Sequence, residues 1–75
     1  MKIGVDIGGT LIKLCIKDKN VTFKNYKTSE FNLFYDYLKL LISDFKLKKI
    51  GITGGGSYKY NDKLNMLEVK LIKYD

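Results

Sequence analysis

Val5-Asp6-Ile7-Gly8-Gly9-Thr10-Leu11-Ile12-Lys13 follows an apolar, strand-like start and turns the chain back on itself. Two adjacent glycines let a backbone reverse sharply and bring its N–H groups against a polyanion without interference from Cβ. A carboxylate, Asp6, stands just before the turn, where it can organise Mg²⁺. A hydroxyl and an ammonium follow, at Thr10 and Lys13. The stretch reads as a phosphate-binding hairpin. A second glycine cluster, Thr53-Gly54-Gly55-Gly56, appears some forty residues later and strengthens that reading.

The rest of the chain sets these clusters in one small domain. Seventy-five residues are too few for a second domain, and a core of that size is marginal. All fourteen basic residues are lysine; Arg, Ala, Pro, Trp, His and Gln are absent. That pattern fits an AT-rich coding sequence, so the net charge of +6 is weak evidence for a nucleic-acid partner. Glycine is costly under such a bias, yet five of the seven glycines fall in the two clusters. One cysteine, Cys15, excludes an internal disulfide framework and fits a reducing compartment. With no His and a single Cys, a Cys/His zinc site is excluded as well. A carboxylate at position 6 comes too early for a signal peptide. No apolar run approaches the roughly 20 residues of a membrane span. A soluble cytoplasmic protein with no membrane or nucleic-acid partner is the expectation.

Periodicity supplies the elements. Residues 2–6 read as a short buried strand and 10–17 as a second, with Ile12, Leu14 and Ile16 alternating against Leu11, Lys13, Cys15 and Lys17. Residues 21–27 alternate again, giving a three-strand meander. Thr28-Ser29-Glu30 carries a hydroxyl cap and an early acid, a helix-start signal. Phe31, Phe34, Leu38, Leu41, Ile42 and Phe45 then recur at three- and four-residue steps as one helical face. Leu33, Tyr37 and Leu40 form a second apolar flank, more than one small sheet needs. Residues 48–53 read as a strand running into the glycines, 57–65 as a turn or one-turn helix, and 67–73 as a fifth strand. If strands one and four lie side by side and parallel, both glycine turns open at one sheet edge, where ligands of such sheets bind. By analogy of pattern, the order β-β-β-α-β-β then resembles an α/β fold of RNase H-like type, an incomplete N-terminal subdomain of the actin-like ATPases, with its second sheet face uncovered.

Each candidate residue also has a plainer reading. Asp6 either stands near Mg²⁺ or caps the turn. Gly8 and Gly9 serve a phosphate cradle or a plain hairpin, and Thr10 donates to a phosphate or simply favours a strand. Lys13 neutralises phosphate or snorkels over apolar neighbours. Thr53 to Gly56 form a hinge or mark close backbone approach to a ligand or another chain. Tyr58-Lys59-Tyr60 is read as a surface turn rather than a stacking platform for nucleic acid.

Ile3 to Leu14, followed by Ile52-Thr53-Gly54-Gly55-Gly56-Ser57-Tyr58-Lys59-Tyr60, closely resembles the type II and eukaryotic pantothenate kinases. Those carry D-[AI]-G-G-T-L-[IV]-K near the N-terminus and T-G-G-G-[AS]-[YF]-K-[FY] further in. Leu71-Ile72-Lys73-Tyr74-Asp75 is similar to their L-H-K-L-D, so the resemblance spans essentially the whole chain. Sugar kinases of the repressor/glucokinase type share only the first motif. The resemblance implies ATP-dependent phosphorylation of pantothenate, the first step toward coenzyme A, in a homodimeric enzyme. It implies that Asp6, Gly8, Gly9, Thr10, Leu11, Ile12 and Lys13 hold the ATP phosphates, with Mg²⁺ on Asp6, directly or through water. Thr53, Gly54, Gly55 and Gly56 would approach the same cleft. The family's general base is a Glu just after the L-D pair, which would fall one residue beyond Asp75. The expectation is therefore a partial N-terminal lobe without turnover of its own, a separate chain supplying the missing lobe, or a non-catalytic nucleotide-binding or interaction module.

Overall fold

The computed structural model describes residues 1–74; Asp75, the last position of the L-H-K-L-D match, lies outside the described residues. Five strands form one mixed sheet in the order β3-β2-β1-β4-β5. Strand β1 is Lys2–Ile7, β2 Leu11–Lys17, β3 Val21–Lys27, β4 Lys49–Thr53 and β5 Lys70–Lys73. Helix α1 is Phe31–Phe45; two single-turn helices, α2 (Gly56–Lys59) and α3 (Asn61–Asn65), lie between β4 and β5. The β1–β2 and β2–β3 pairs are antiparallel, and β1–β4 and β4–β5 are parallel. Two-residue alternation decides which face each side chain joins. Ile3, Val5 and Ile7 of β1, Ile12 and Leu14 of β2, and Ile50 and Ile52 of β4 are all buried.

Helix α1 covers that face because Phe31, Phe34, Leu38 and Leu41 fall on one stripe and are buried, with Leu64 of α3 and Leu67 completing the core. The expected second flank is open, with Leu33 at 59% and Leu40 at 54% exposure. Tyr37 is half-buried beneath the Lys24 ammonium, 4.1 Å from its ring centre. Phe45, read as part of the core stripe, is exposed. The helix ends there: Lys46 turns left-handed at φ 51°, and the Leu47 N–H reaches back to the Ile42 carbonyl at 3.1 Å.

Two boundaries differ from the sequence expectation. Thr28 does not cap α1. Residues Thr28–Glu30 make a 3₁₀ turn in which the Glu30 carboxylate accepts from the Lys27 N–H at 3.2 Å, and the Thr28 hydroxyl points elsewhere. The fifth strand starts at Lys70 rather than Leu67. The N–H groups of Met66 and Leu67 are held by the Lys63 and Leu64 carbonyls at 3.2 and 3.1 Å, so that backbone still coils. Sheet pairing begins where the Lys70 N–H meets the Lys48 carbonyl at 2.9 Å, and it continues to a Tyr74 N–H to Ile52 carbonyl bond of 2.8 Å. No helix among the described residues is long and apolar enough to cross a membrane.

Candidate functional site

Parallel pairing of β1 with β4 sets Gly4 beside Gly51, Val5 beside Ile52 and Asp6 beside Thr53. Both strands therefore end at the same edge, and both glycine turns leave from it. The two turns touch. A Cβ on Gly54 would lie 2.5 Å from Asp6 Oδ1 and closer still to the Ile7 carbonyl oxygen; one on Gly56 would lie 2.6 Å from Ile7 Cγ2 and 2.8 Å from the Ile7 oxygen. Gly54 also has φ +96°, a conformation that side chains resist. Close approach at these two glycines is thus between segments of this chain.

Gly9 and Gly55 behave differently: a Cβ on either would meet nothing within 4 Å. Gly9, Thr10 and Gly55 are exposed, and their N–H groups make no backbone hydrogen bond among the described residues. The Gly8 N–H is already committed to the Leu11 carbonyl at 2.8 Å, closing the hairpin. Of the side chains expected at the site, Asp6 and Lys13 are exposed and directly opposite each other in the β1–β2 register. Among the described residues they form no ion pair, so both charges are left to solvent or a ligand. Thr53 is half-buried on the other side of Asp6. Leu11 is exposed at the hairpin, whereas the Ile12 side chain is fully buried under α1, so only its backbone lies near the turn.

Two hydroxyls outside the expected site residues hold the loops in place. The Thr28 hydroxyl donates to the Gly8 carbonyl at 2.9 Å, and the Thr28 N–H bonds the Thr10 carbonyl at 2.9 Å. Ser57, 6% exposed, donates its hydroxyl to the Gly54 carbonyl at 2.7 Å. Ser57 directly follows the glycines, a local signal; Thr28 lies 20 residues from its partner and gives none. Thr28→Val should leave the Gly8 carbonyl short of a donor and cost about 1–2 kcal/mol. A urea titration should show a lower midpoint at unchanged slope; an unchanged midpoint would mean that the hydroxyl does not hold the hairpin.

No cluster of three or more metal-ligating side chains occurs among the described residues. Asp6 alone fits Mg²⁺ in the mode that this ion favours with nucleotides, one carboxylate completed by phosphate oxygens and water. It does not make a free-standing metal site. Among the described residues, the open N–H groups of Gly9, Thr10 and Gly55 and the exposed Lys13 ammonium are the groups suited to an anion. No protein-family model matches the chain, and no curated protein matches it.

Proposed function

We propose that these residues are the ATP-phosphate-binding part of a pantothenate kinase of the type II/eukaryotic kind, built on an RNase H-like N-terminal subdomain of the actin-like ATPases. The observation that carries this reading is the meeting of the two glycine turns at the carboxyl ends of adjacent parallel strands, with Asp6 between them. The five-strand mixed sheet, with β1 between antiparallel β2 and parallel β4, supports the fold that the motifs imply. In phosphoryl transfer a protein chiefly positions the reactants and neutralises charge. The open N–H groups of Gly9, Thr10 and Gly55 and the Lys13 ammonium are suited to that work. Mg²⁺, when bound with ATP, would supply charge neutralisation at the phosphates, held to the chain through Asp6. None of these residues is assigned to the pantothenate pocket, the general base or the dimer contacts.

Calorimetry with MgATP tests the phosphate reading. Binding is expected at millimolar nucleotide, and Lys13→Met should weaken it about tenfold, equivalent to ~1.4 kcal/mol. Asp6→Asn should weaken MgATP more than metal-free ATP. Absence of heat at millimolar MgATP from a folded chain would count against the proposal.

A further inference from the structure

Among the described residues no helix covers the sheet face opposite α1, and the composition of that face is uneven. Register places Lys2, Gly4 and Asp6 of β1 on it, with Leu11, Lys13, Cys15 and Lys17 of β2 and Val21, Phe23, Asn25 and Lys27 of β3. From the other side come Lys49, Gly51 and Thr53 of β4, then Lys70 and Ile72 of β5. The face therefore carries six lysines and one carboxylate. The remaining acids of the described residues lie in turns, on the helices or in their connections: Asp18, Glu30, Asp36, Asp44, Asp62 and Glu68. Nearly all of the chain's net charge of +6 thus belongs to this face.

Its centre is apolar and hollow. Phe23, Cys15, Gly4, Gly51 and Ile72 make one row straight across the sheet. Gly4 leaves open space, with Cys15 and Phe23 on one bank; on the other stand Ile72 and the Tyr74 ring, which lies over Gly51, 3.1 Å from where a Cβ would be. Two hollows of 390 and 290 Å³ share Gly4, Cys15, Gly51 and Tyr74, so the open space follows β1 and β4. Phe23 is 70% exposed and Tyr74 62%, large apolar groups left in water. Parallel strand pairs, such as β1–β4–β5, are ordinarily covered on both faces.

We infer that this face is a docking site for an acidic amphipathic helix of a partner polypeptide, its apolar stripe over Gly4 between Phe23 and Tyr74 and its carboxylates against the flanking lysines. Six strand residues span ~20 Å, which matches about 13 residues of helix. Charge decides the class of occupant. A second copy of the chain would bring another +6 against this surface. Single-stranded nucleic acid would suit the lysines, but it reads successive stacking platforms, and Phe23 and Tyr74 stand on opposite sides of Gly4. The face shares Asp6, Lys13 and Thr53 with the proposed phosphate site, so the test rests on Gly4, Lys17 and Lys49, which lie outside that site.

A labelled synthetic 14-residue peptide with a leucine stripe flanked by glutamates is the probe, compared by fluorescence anisotropy with the same peptide carrying lysines for glutamates. The glutamate peptide should bind and weaken steeply with added salt, and the lysine peptide should not bind. Gly4→Val should raise the Kd about tenfold or more with unchanged circular dichroism, because nothing lies within 4 Å of its new Cβ and valine favours strands. A Lys17→Glu, Lys49→Glu double variant should reverse the peptide preference. Equal binding of both peptides, indifference to Gly4→Val, displacement by a deoxythymidine oligonucleotide at lower concentration, or a chain already self-associated through this face would each overturn the inference. MgATP calorimetry on the same sample shows independently whether the nucleotide reading holds.

Discussion

Gly54→Ala is expected to lower the melting temperature by about 10 °C or more. Two costs combine at this residue. Its φ of +96° is a conformation that any side chain resists, a strain of about 1–3 kcal/mol. The added methyl would also run into the Ile7 carbonyl, whose carbon lies 2.8 Å from the new Cβ position. Asp6 can swing its carboxylate aside, but Ile7 is a buried strand residue whose backbone is held by β2. Overpacking of this kind costs a further 1–3 kcal/mol or so. In a domain of this length each kcal/mol shifts the midpoint by about 4–8 °C.

Gly55→Ala, one residue along, is the control. Nothing lies within 4 Å of its Cβ, so stability should stay within about 0.5 kcal/mol of the parent. A thermal melt of the two variants side by side checks the pair. A Gly54→Ala midpoint within 2–3 °C of the parent would mean that the two glycine turns do not press together as described. Loss of MgATP binding in Gly54→Ala follows from displaced loops and says little about phosphate. The same loss in Gly55→Ala, with the fold intact, would place the anion at the open tip.

The elements that sequence made legible are those whose signal is periodic and local. Alternation in Leu11 to Lys17 separates the buried Ile12 and Leu14 from the exposed Leu11 and Lys13. The three- and four-residue steps from Phe31 to Leu41 mark the buried stripe of α1. At the ends of elements the signal weakens, because distant partners decide. Thr28 looks like a helix cap by its neighbours, but its hydroxyl is claimed by Gly8, a residue that only the β2–β3 hairpin brings near. Leu67 alternates with Val69 and Leu71 as a strand would, yet the turn after α3 keeps it in the core and out of the sheet.

The candidate site divides in the same way. Asp6, the glycine pairs and Lys13 stand out in the sequence because their residue types fit a phosphate cradle. Which glycines are open and which are packed is a separate matter, settled by the sideways placement of β4 against β1. Gly54 and Gly56 are used up in that contact, and Gly9 and Gly55 remain free. Ile12 has the spacing of the hairpin but the side-chain environment of the core. Motif membership therefore does not assign a role residue by residue, and the glycine variants above separate the roles.

Phe34→Ala is expected to abolish cooperative unfolding. Phe34 is completely buried, with the Tyr26 ring edge-on at 5.9 Å and the Phe31 ring at 5.6 Å. Emptying such a position costs about 3–5 kcal/mol in transfer and cavity terms. A domain of fewer than about 80 residues seldom has more than ~3–5 kcal/mol to lose. Leu33→Ala, on the exposed flank of the same helix, removes a comparable side chain and should stay within about 0.5 kcal/mol of the parent. The contrast isolates burial from helix propensity, since both changes introduce alanine into α1. Thermal melts followed by near-ultraviolet circular dichroism of the tyrosines read the outcome. A sharp Phe34→Ala transition within about 5 °C of the parent would refute the packing of α1 on the sheet. The loss should be severe because coverage is one-sided: α1 supplies most of the side chains facing the sheet core, and among the described residues no helix covers the opposite face. No second layer remains to close around the cavity.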